Sequence, residues 1–364
     1  MMKTDASPVS SVPSCPDGAC GMLLAWFSQN ARTMPWREEP TPYRVWLSEI
    51  MLQQTRIEAA MPYYLRFVRE LPDVAALASV EDETLMKLWQ GLGYYSRARN
   101  LKKTAQILMR DFGGQLPADA RILRTLPGIG DYTAGAIASI AFGLPEPAVD
   151  GNVLRVYMRL VACADDVMAQ KTRRSVAENL RKSYPSGADA GRLTQAWMEL
   201  GETVCVPNGA PKCGLCPLRD FCCAFRCGQP ERYPVRSSAK ERRQEEKTVF
   251  LLCCDGKFAL CRRPENGLLA GLWEFPNTDG HLDGADVRRW ALSQGMTVLD
   301  VDSVGKSRHI FSHVEWHMTG WLIRCAACTE NYTWATPAQI RGEYAVPTAF
   351  RAWENRAERI AGQA

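Results

Sequence analysis

LPGIGDYTAG, residues 126–135, decides how this chain is read. A proline and two glycines, Gly128 and Gly130, interrupt two stretches of helical pattern, and Tyr132 falls in the first turn of the second. Glycine reaches positive φ and lets another backbone come close, so the turn is either an ordinary corner or a surface built for contact. Working outward, residues 19–204 stay helical. Apolar residues recur at three- and four-residue spacings in GMLLAWFSQN, YRVWLSEIMLQQTRIEAAMPYYLRFV, DETLMKLWQ and AENLRKSY. Proline or glycine marks the breaks, as in QGLGYYS, GGQLPAD and FGLPEPAVDGN.

The totals are those of an ordinary soluble globular protein: 364 residues, 46% hydrophobic, 23% charged, net charge +4. That length suits two domains, and the slight basic excess does not by itself announce nucleic acid. No apolar run is long enough to cross a bilayer, so no membrane association is expected. Residues 1–18, rich in Ser and Pro without a signal-peptide core, read as a disordered tail, and a cytoplasmic protein of bacterial type is expected. After residue 230, ERYPVRSSAKERRQEEK is dense in charge and reads as a linker, 231–246. Beyond it TVFLLCCD, KFALCRR, GLWEFP and VEWHMTGWLIRC are short and β-like, with helices expected at ADVRRWALSQG and PTAFRAWENRAERI. The second domain, 247–360, is therefore α+β.

Six of the fourteen cysteines fall between 205 and 227. Cys205, Cys213, Cys216 and Cys222 are spaced C-x7-C-x2-C-x5-C, which suits zinc or an iron–sulfur cluster. Zinc sites usually show two short pairs, and this array has one, which favours a [4Fe–4S] cluster. Either Cys222 or Cys223 can be the fourth ligand on spacing alone. Cys325-Ala-Ala-Cys328 reads as strand thiols, not a redox pair.

LPGIGDYTAG, followed by VDGN and the four-cysteine array, resembles the helix–hairpin–helix superfamily of DNA glycosylases. Within it, VWLSEIMLQQTRIE, WQGLGYYSRARNL and GLLAGLWEFP resemble adenine DNA glycosylases, the MutY family. The resemblance covers all but the first ~18 residues and the last few. It implies an all-α glycosylase domain, 19–230, with its cluster loop at 205–222, and a Nudix-like second domain. It implies removal of adenine opposite 8-oxoguanine or guanine in double-stranded DNA, by a monomer. Gly128 and Gly130 would let a DNA phosphate reach the N–H groups of the turn, a contact that gives affinity and not specificity. Hairpins of this type often hold a monovalent cation as well.

Two carboxylates would divide the chemistry. Asp150 sits where a helix begins, a natural N-cap that also favours an anion. Glu49 lies mid-helix beside Val45, Trp46 and Leu52, surroundings that raise a carboxyl pKa, although Gln53 and Arg56 share its face. By resemblance, Glu49 protonates adenine N7, and Asp150 stabilises or attacks the cationic sugar with Tyr132 and Asn152 assisting. Strand-cutting relatives such as endonuclease III carry lysine where Tyr132 stands; tyrosine forms no Schiff base, so base removal alone is implied. A flipped adenine leaves a gap, into which Gln54 and Tyr94 would wedge with Thr55 and Leu92 nearby, while Arg37 and Glu199 line the pocket. Phe311, Ser312 and His313 match the loop that contacts 8-oxoguanine. The histidines at 309, 313 and 317 read as strand and turn, not as metal ligands.

There are departures. The first cysteine gap is one residue longer than usual in the family, and Asp131 replaces a common proline and could cap the following helix. No glutamate-rich Nudix box is present, so the second domain is expected to recognise, not hydrolyse. Rival readings are a thymine glycosylase and a non-catalytic DNA binder. A zinc deaminase is disfavoured, the chain having only four histidines.

Overall fold

The computed structural model describes residues 12–237 and 241–362. They divide into two compact units, one of residues 12–79 and 99–237, the other of 80–98 and 241–362.

The first unit is helical. Its core gathers around the helix Ala188–Thr203, whose buried Leu193, Trp197 and Leu200 meet Leu23 and Phe27 of Ala19–Asn30 and Leu154 and Tyr157 of Gly151–Leu160. Each such side chain contributes roughly 1.5–3 kcal/mol when removed from water. The helix Pro42–Leu52 starts where sequence rules place it: Thr41 accepts the Arg44 N–H (3.3 Å), and Pro42 takes the first turn. Its residues Tyr43 and Val45–Met51 are all buried, Glu49 among them.

The expected tail needs correction. Val12 is buried, and the Pro13 carbonyl accepts from Tyr157 (2.8 Å) and Asn179 (3.2 Å). The chain at Val12 and Pro13 is tied down because these carbonyls find donors in Tyr157 and Asn179; residues 1–11 lie outside the described residues.

The second unit holds a seven-stranded mixed sheet: β1 (Arg243–Cys254), β2 (Lys257–Arg262), β3 (Trp273–Glu274), β4 (Asn277–Asp279), β5 (Val298–Ile310), β6 (Val314–Cys325) and β7 (Thr333–Ala335). The order is β3-β2-β1-β6-β5, with β4 paired to β1 and β7 to β2. Only β1 and β6 run parallel, from Arg243 opposite Val314 to Cys253 opposite Arg324. The apolar run in β1 follows from its central place, because both faces are covered. Val249 and Leu251 pack with Phe350 and Trp353, while Phe250 and Leu252 pack with Val287 and Ala291 of the helix Gly284–Ser293.

Strand β1 begins at Arg243, inside the expected linker. Arg243, Gln244 and Glu246 are exposed there, and Glu245 is tied down by the Trp316 indole N–H (2.8 Å). Residues 238–240 of that linker lie outside the described residues. Segment 80–98 joins this unit through Lys87 and Gln90, which donate to carbonyls at 341, 344 and 346. Among the described residues no helix is long and apolar enough to cross a membrane.

Candidate functional site

The turn at 126–130 requires glycine at its bend. Gly128 has φ +77°, and a Cβ there would stand 2.8 Å from Asn100 Cβ, so only glycine fits. Gly130 caps the helix Asp131–Ala136 with extended backbone, and a Cβ on it would meet nothing. Its face is open. Asp131 does not cap that helix; it sits in the first turn and pairs with Arg124 (3.0 Å). The N-terminal partial charge of the helix accounts for an acid at that place.

In the same turn, the Tyr132 hydroxyl donates to Glu49 Oε2 and lies 4.0 Å from Met198 Sδ. Burial is the main force on Glu49, and the nearby Asp150 adds to it. Together they outweigh the tyrosine hydrogen bond and Arg37, and push the carboxyl up to about 7. Glu49 therefore holds a proton near neutral pH. Burial also drives the Tyr132 phenol well above its ordinary range, so it stays a neutral donor.

Asp150 begins the helix Gly151–Leu160. Its Oδ1 accepts the Val153 N–H (2.7 Å) and its Oδ2 the Asn152 amide (2.9 Å). Burial raises this carboxyl, and those donors with Arg155 pull it back, leaving a net upward direction. Asn152 is fixed in turn by Arg155 Nη2 (2.8 Å), which also reaches the Gly201 carbonyl (2.8 Å), while Arg155 Nε holds the Cys205 carbonyl (2.7 Å). Gly201 has to be glycine for this contact, since its Cβ would lie 2.6 Å from Asn152 Cβ.

Glu49 stands between an inner pocket, which Met34, Trp36, Arg37 and Glu199 help line, and an open outer groove of about 560 Å³ that includes Gln54, Thr55, Tyr132, Asp150 and Asn152. Burial alone would raise Glu199, yet Arg32 and Arg37 (2.7 Å) both donate to it and hold it below the usual carboxylate range. Two carboxyls of one pocket are thus driven apart, Glu49 protonated and Glu199 ionised. Arg32, Met198 and Glu202 line these pockets, Arg155 holds Asn152, and all four were missed from sequence. Their only signals were an arginine on the 151–160 helix and the Glu199/Glu202 pair three apart.

Gln54, at the mouth of the groove, has φ +56°, and Tyr94 in the second unit has φ +47°. Such backbone costs a non-glycine residue about 1–3 kcal/mol and gathers at functional sites. Tyr94 is 44% exposed, whereas Leu92 is buried. On the second unit, residues 311–313 form the exposed end of the β5–β6 hairpin. Phe311 packs edge-on against His309 (4.6 Å) and Trp316 (4.8 Å), and the Ser312 hydroxyl lies 3.3 Å from His313 Nδ1. His317 instead pairs with Glu315 (3.0 Å), so the histidines do not converge. A separate open pocket of about 540 Å³ on this sheet, with Glu246, His281, Lys306 and Arg308 among its walls, contains none of the predicted residues.

Cys205, Cys213, Cys216 and Cys222 line one small pocket with Arg159 and Phe225. Arg159 Nη1 donates to Cys205 Sγ (3.2 Å). Cys223 is outside that pocket, its sulfur accepting from Arg226 (3.1 Å), a placement that favours Cys222. Among the described residues no three His, Cys, Asp or Glu side chains already stand in a ligating arrangement, so the fit is one of donor chemistry: four thiols on one apolar pocket with an arginine beside them.

Residues 47–184 match the family described as HhH-GPD superfamily base excision DNA repair protein, and residues 248–353 match the NUDIX domain. Adenine DNA glycosylase of Mus musculus is 34% identical over 353 residues, covering 80% of this chain and 68% of its own. The adenine DNA glycosylase of Buchnera aphidicola subsp. Acyrthosiphon pisum is 31% identical, covering 85% and 88%. A thermostable thymine-DNA glycosylase structure superposes with a TM-score of 0.50 at 24% identity, over 57% of this chain and 95% of that one. That likeness confirms the helical fold.

Proposed function

Because the chain belongs to the adenine DNA glycosylase family, we propose that it excises adenine paired with 8-oxoguanine or guanine and leaves the strand uncut. The family fixes the enzyme class, a hydrolase of N-glycosyl bonds that removes adenine in base excision repair. The observation that carries the finer reading is the Tyr132–Glu49 pair. A buried acid with a pKa of about 7 is set beside a phenol that cannot act as an amine.

In this reading the flipped adenine enters the inner pocket, and Glu49 delivers its proton to N7. The C1′–N9 bond breaks, the electron pair leaves with the base, and Asp150 Oδ2 meets the cationic sugar. Asn152, held by Arg155, keeps that oxygen aimed. Glu49, now ionised, then takes a proton from the water that completes hydrolysis. Among the described residues lining the outer groove there is no lysine, which supports base removal without a lyase step. The four cysteines would hold a [4Fe–4S] cluster, which would cross-link residues 205–222. Gln54 and Tyr94 would fill the vacated stack, and Phe311, Ser312 and His313 would read the opposing lesion.

The test is single-turnover excision on duplexes holding A opposite 8-oxoguanine, A opposite guanine, A opposite T, and T opposite G, each read with and without alkali. Cleavage of the first two, visible only after alkali, is expected. Breaks without alkali would overturn the monofunctional reading, and loss of T would move the protein to the thymine-specific alternative.

A further inference from the structure

We propose that Lys87 and Gln90 are positioning residues through which the sheet that carries residues 311–313 sets the shape of the Gly91–Tyr94 loop. The inference rests on the reading of Tyr94 as the wedge and of Phe311–His313 as the lesion contact.

The loop follows the helix Asp82–Trp89 and is unusual in its backbone. Gly91 (φ +104°), Gly93 (φ +72°) and Tyr94 (φ +47°) all lie in the left-handed region. Such a path persists only when its surroundings over-determine it, and here they do. The Trp89 indole donates to the Gly93 carbonyl (3.0 Å). Arg97 Nη2 donates to the Leu92 (3.0 Å) and Gly93 (3.1 Å) carbonyls. The buried Arg97 guanidinium lies 5.3 Å from the Trp89 ring centre and 5.6 Å from that of Tyr94, clamping the wedge ring from beneath.

This clamp is anchored on residues 341–346. Lys87 Nζ donates to the carbonyls of Arg341 (2.5 Å) and Tyr344 (2.9 Å) where the helix Pro337–Glu343 ends, a place whose partial negative charge suits an ammonium. Gln90 Nε2, directly before the loop, donates to the Val346 carbonyl (2.7 Å). Val346 is buried in the same core as Phe350 and Trp316, and Trp316 packs on Phe311. One continuous packed path therefore runs from the lesion-reading hairpin to the wedge. Two sites joined in this way share a coupling free energy, so what the hairpin finds opposite the adenine alters how firmly Tyr94 is presented.

The double variant Lys87→Met, Gln90→Leu keeps the bulk and removes the donors. Single-turnover excision of A opposite 8-oxoguanine should slow about tenfold, with A opposite guanine slowed less, so the preference between them falls. Lys87→Arg, which keeps a cationic donor, should restore it. A merely structural role would slow both substrates equally. Tyr94→Ala separates the two readings. If it is slow while the double variant keeps the full preference, the positioning role is wrong and the wedge stands. If Tyr94→Ala is as fast as the unmutated enzyme, both fall. Should the double variant lose the fold of its second domain by circular dichroism, Gln90→Leu alone decides by the same preference ratio.

Discussion

Replacing Glu49 with glutamine tests whether the acid is held protonated by burial. Its carboxyl rises from an ordinary 4.5 to about 7 in the folded protein. Each tenfold in proton affinity is about 1.4 kcal/mol, so the rise amounts to about 3 kcal/mol. The sign follows from linkage. A group whose folded pKa is raised contributes stability that is complete below pH 4.5 and is lost as pH climbs through about 7. Glutamine mimics the protonated form and has no such loss. The variant should therefore gain on the unmutated enzyme by about 3 kcal/mol between pH 4.5 and 7, measured by urea unfolding at closely spaced pH. Other titrating groups cancel in the difference, since both proteins share them. Stability curves that stay parallel across that window would refute burial as the cause. Excision by the unmutated enzyme should decline above about pH 7, and the glutamine variant should excise at no pH.

Asp150→Asn keeps an oxygen for the Val153 N–H, so stability should change by less than about 1 kcal/mol and DNA binding should persist. Turnover should vanish, and single-turnover excision near the unmutated rate would end the role given to Asp150. Gly128→Ala must place a Cβ 2.8 Å from Asn100 at φ +77°. It should cost about 1–2 kcal/mol in unfolding experiments and weaken matched and mismatched duplexes alike in binding titrations. Cys222→Ser should purify without iron or its brown colour, whereas Cys223→Ser, altering a sulfur that faces Arg226, should keep both. Iron lost from Cys223→Ser and kept by Cys222→Ser would reverse the ligand assignment.

The helical periodicity, the cysteine spacing and the β-like texture beyond residue 246 were legible because each is a local pattern. The burial of Glu49 was not, since Gln53 and Arg56 share its helical face on paper. The helix ends at Leu52, which takes both residues off that face. Cys222 and Cys223 differ only in which way a short turn aims them, and the arginine that holds the Cys223 sulfur comes three residues later. Positive φ at Gln54 and Tyr94 runs against residue preference, as strained functional backbone does. Arg32 gave no signal because its partner Glu199 lies 167 residues away. Residues 12–18 and 243–246 look unstructured by composition and become ordered through distant donors and a parallel partner strand.

Lys87 bonds to a carbonyl 254 residues further along the chain. During synthesis at about 5–20 residues per second, segment 80–98 waits roughly ten to fifty seconds for its support to emerge. Most of the helical unit has all its own partners well before then. Assembly is thus ordered in time: the pocket that cuts the base takes form first, and the loop that would part the duplex is the last piece to be locked.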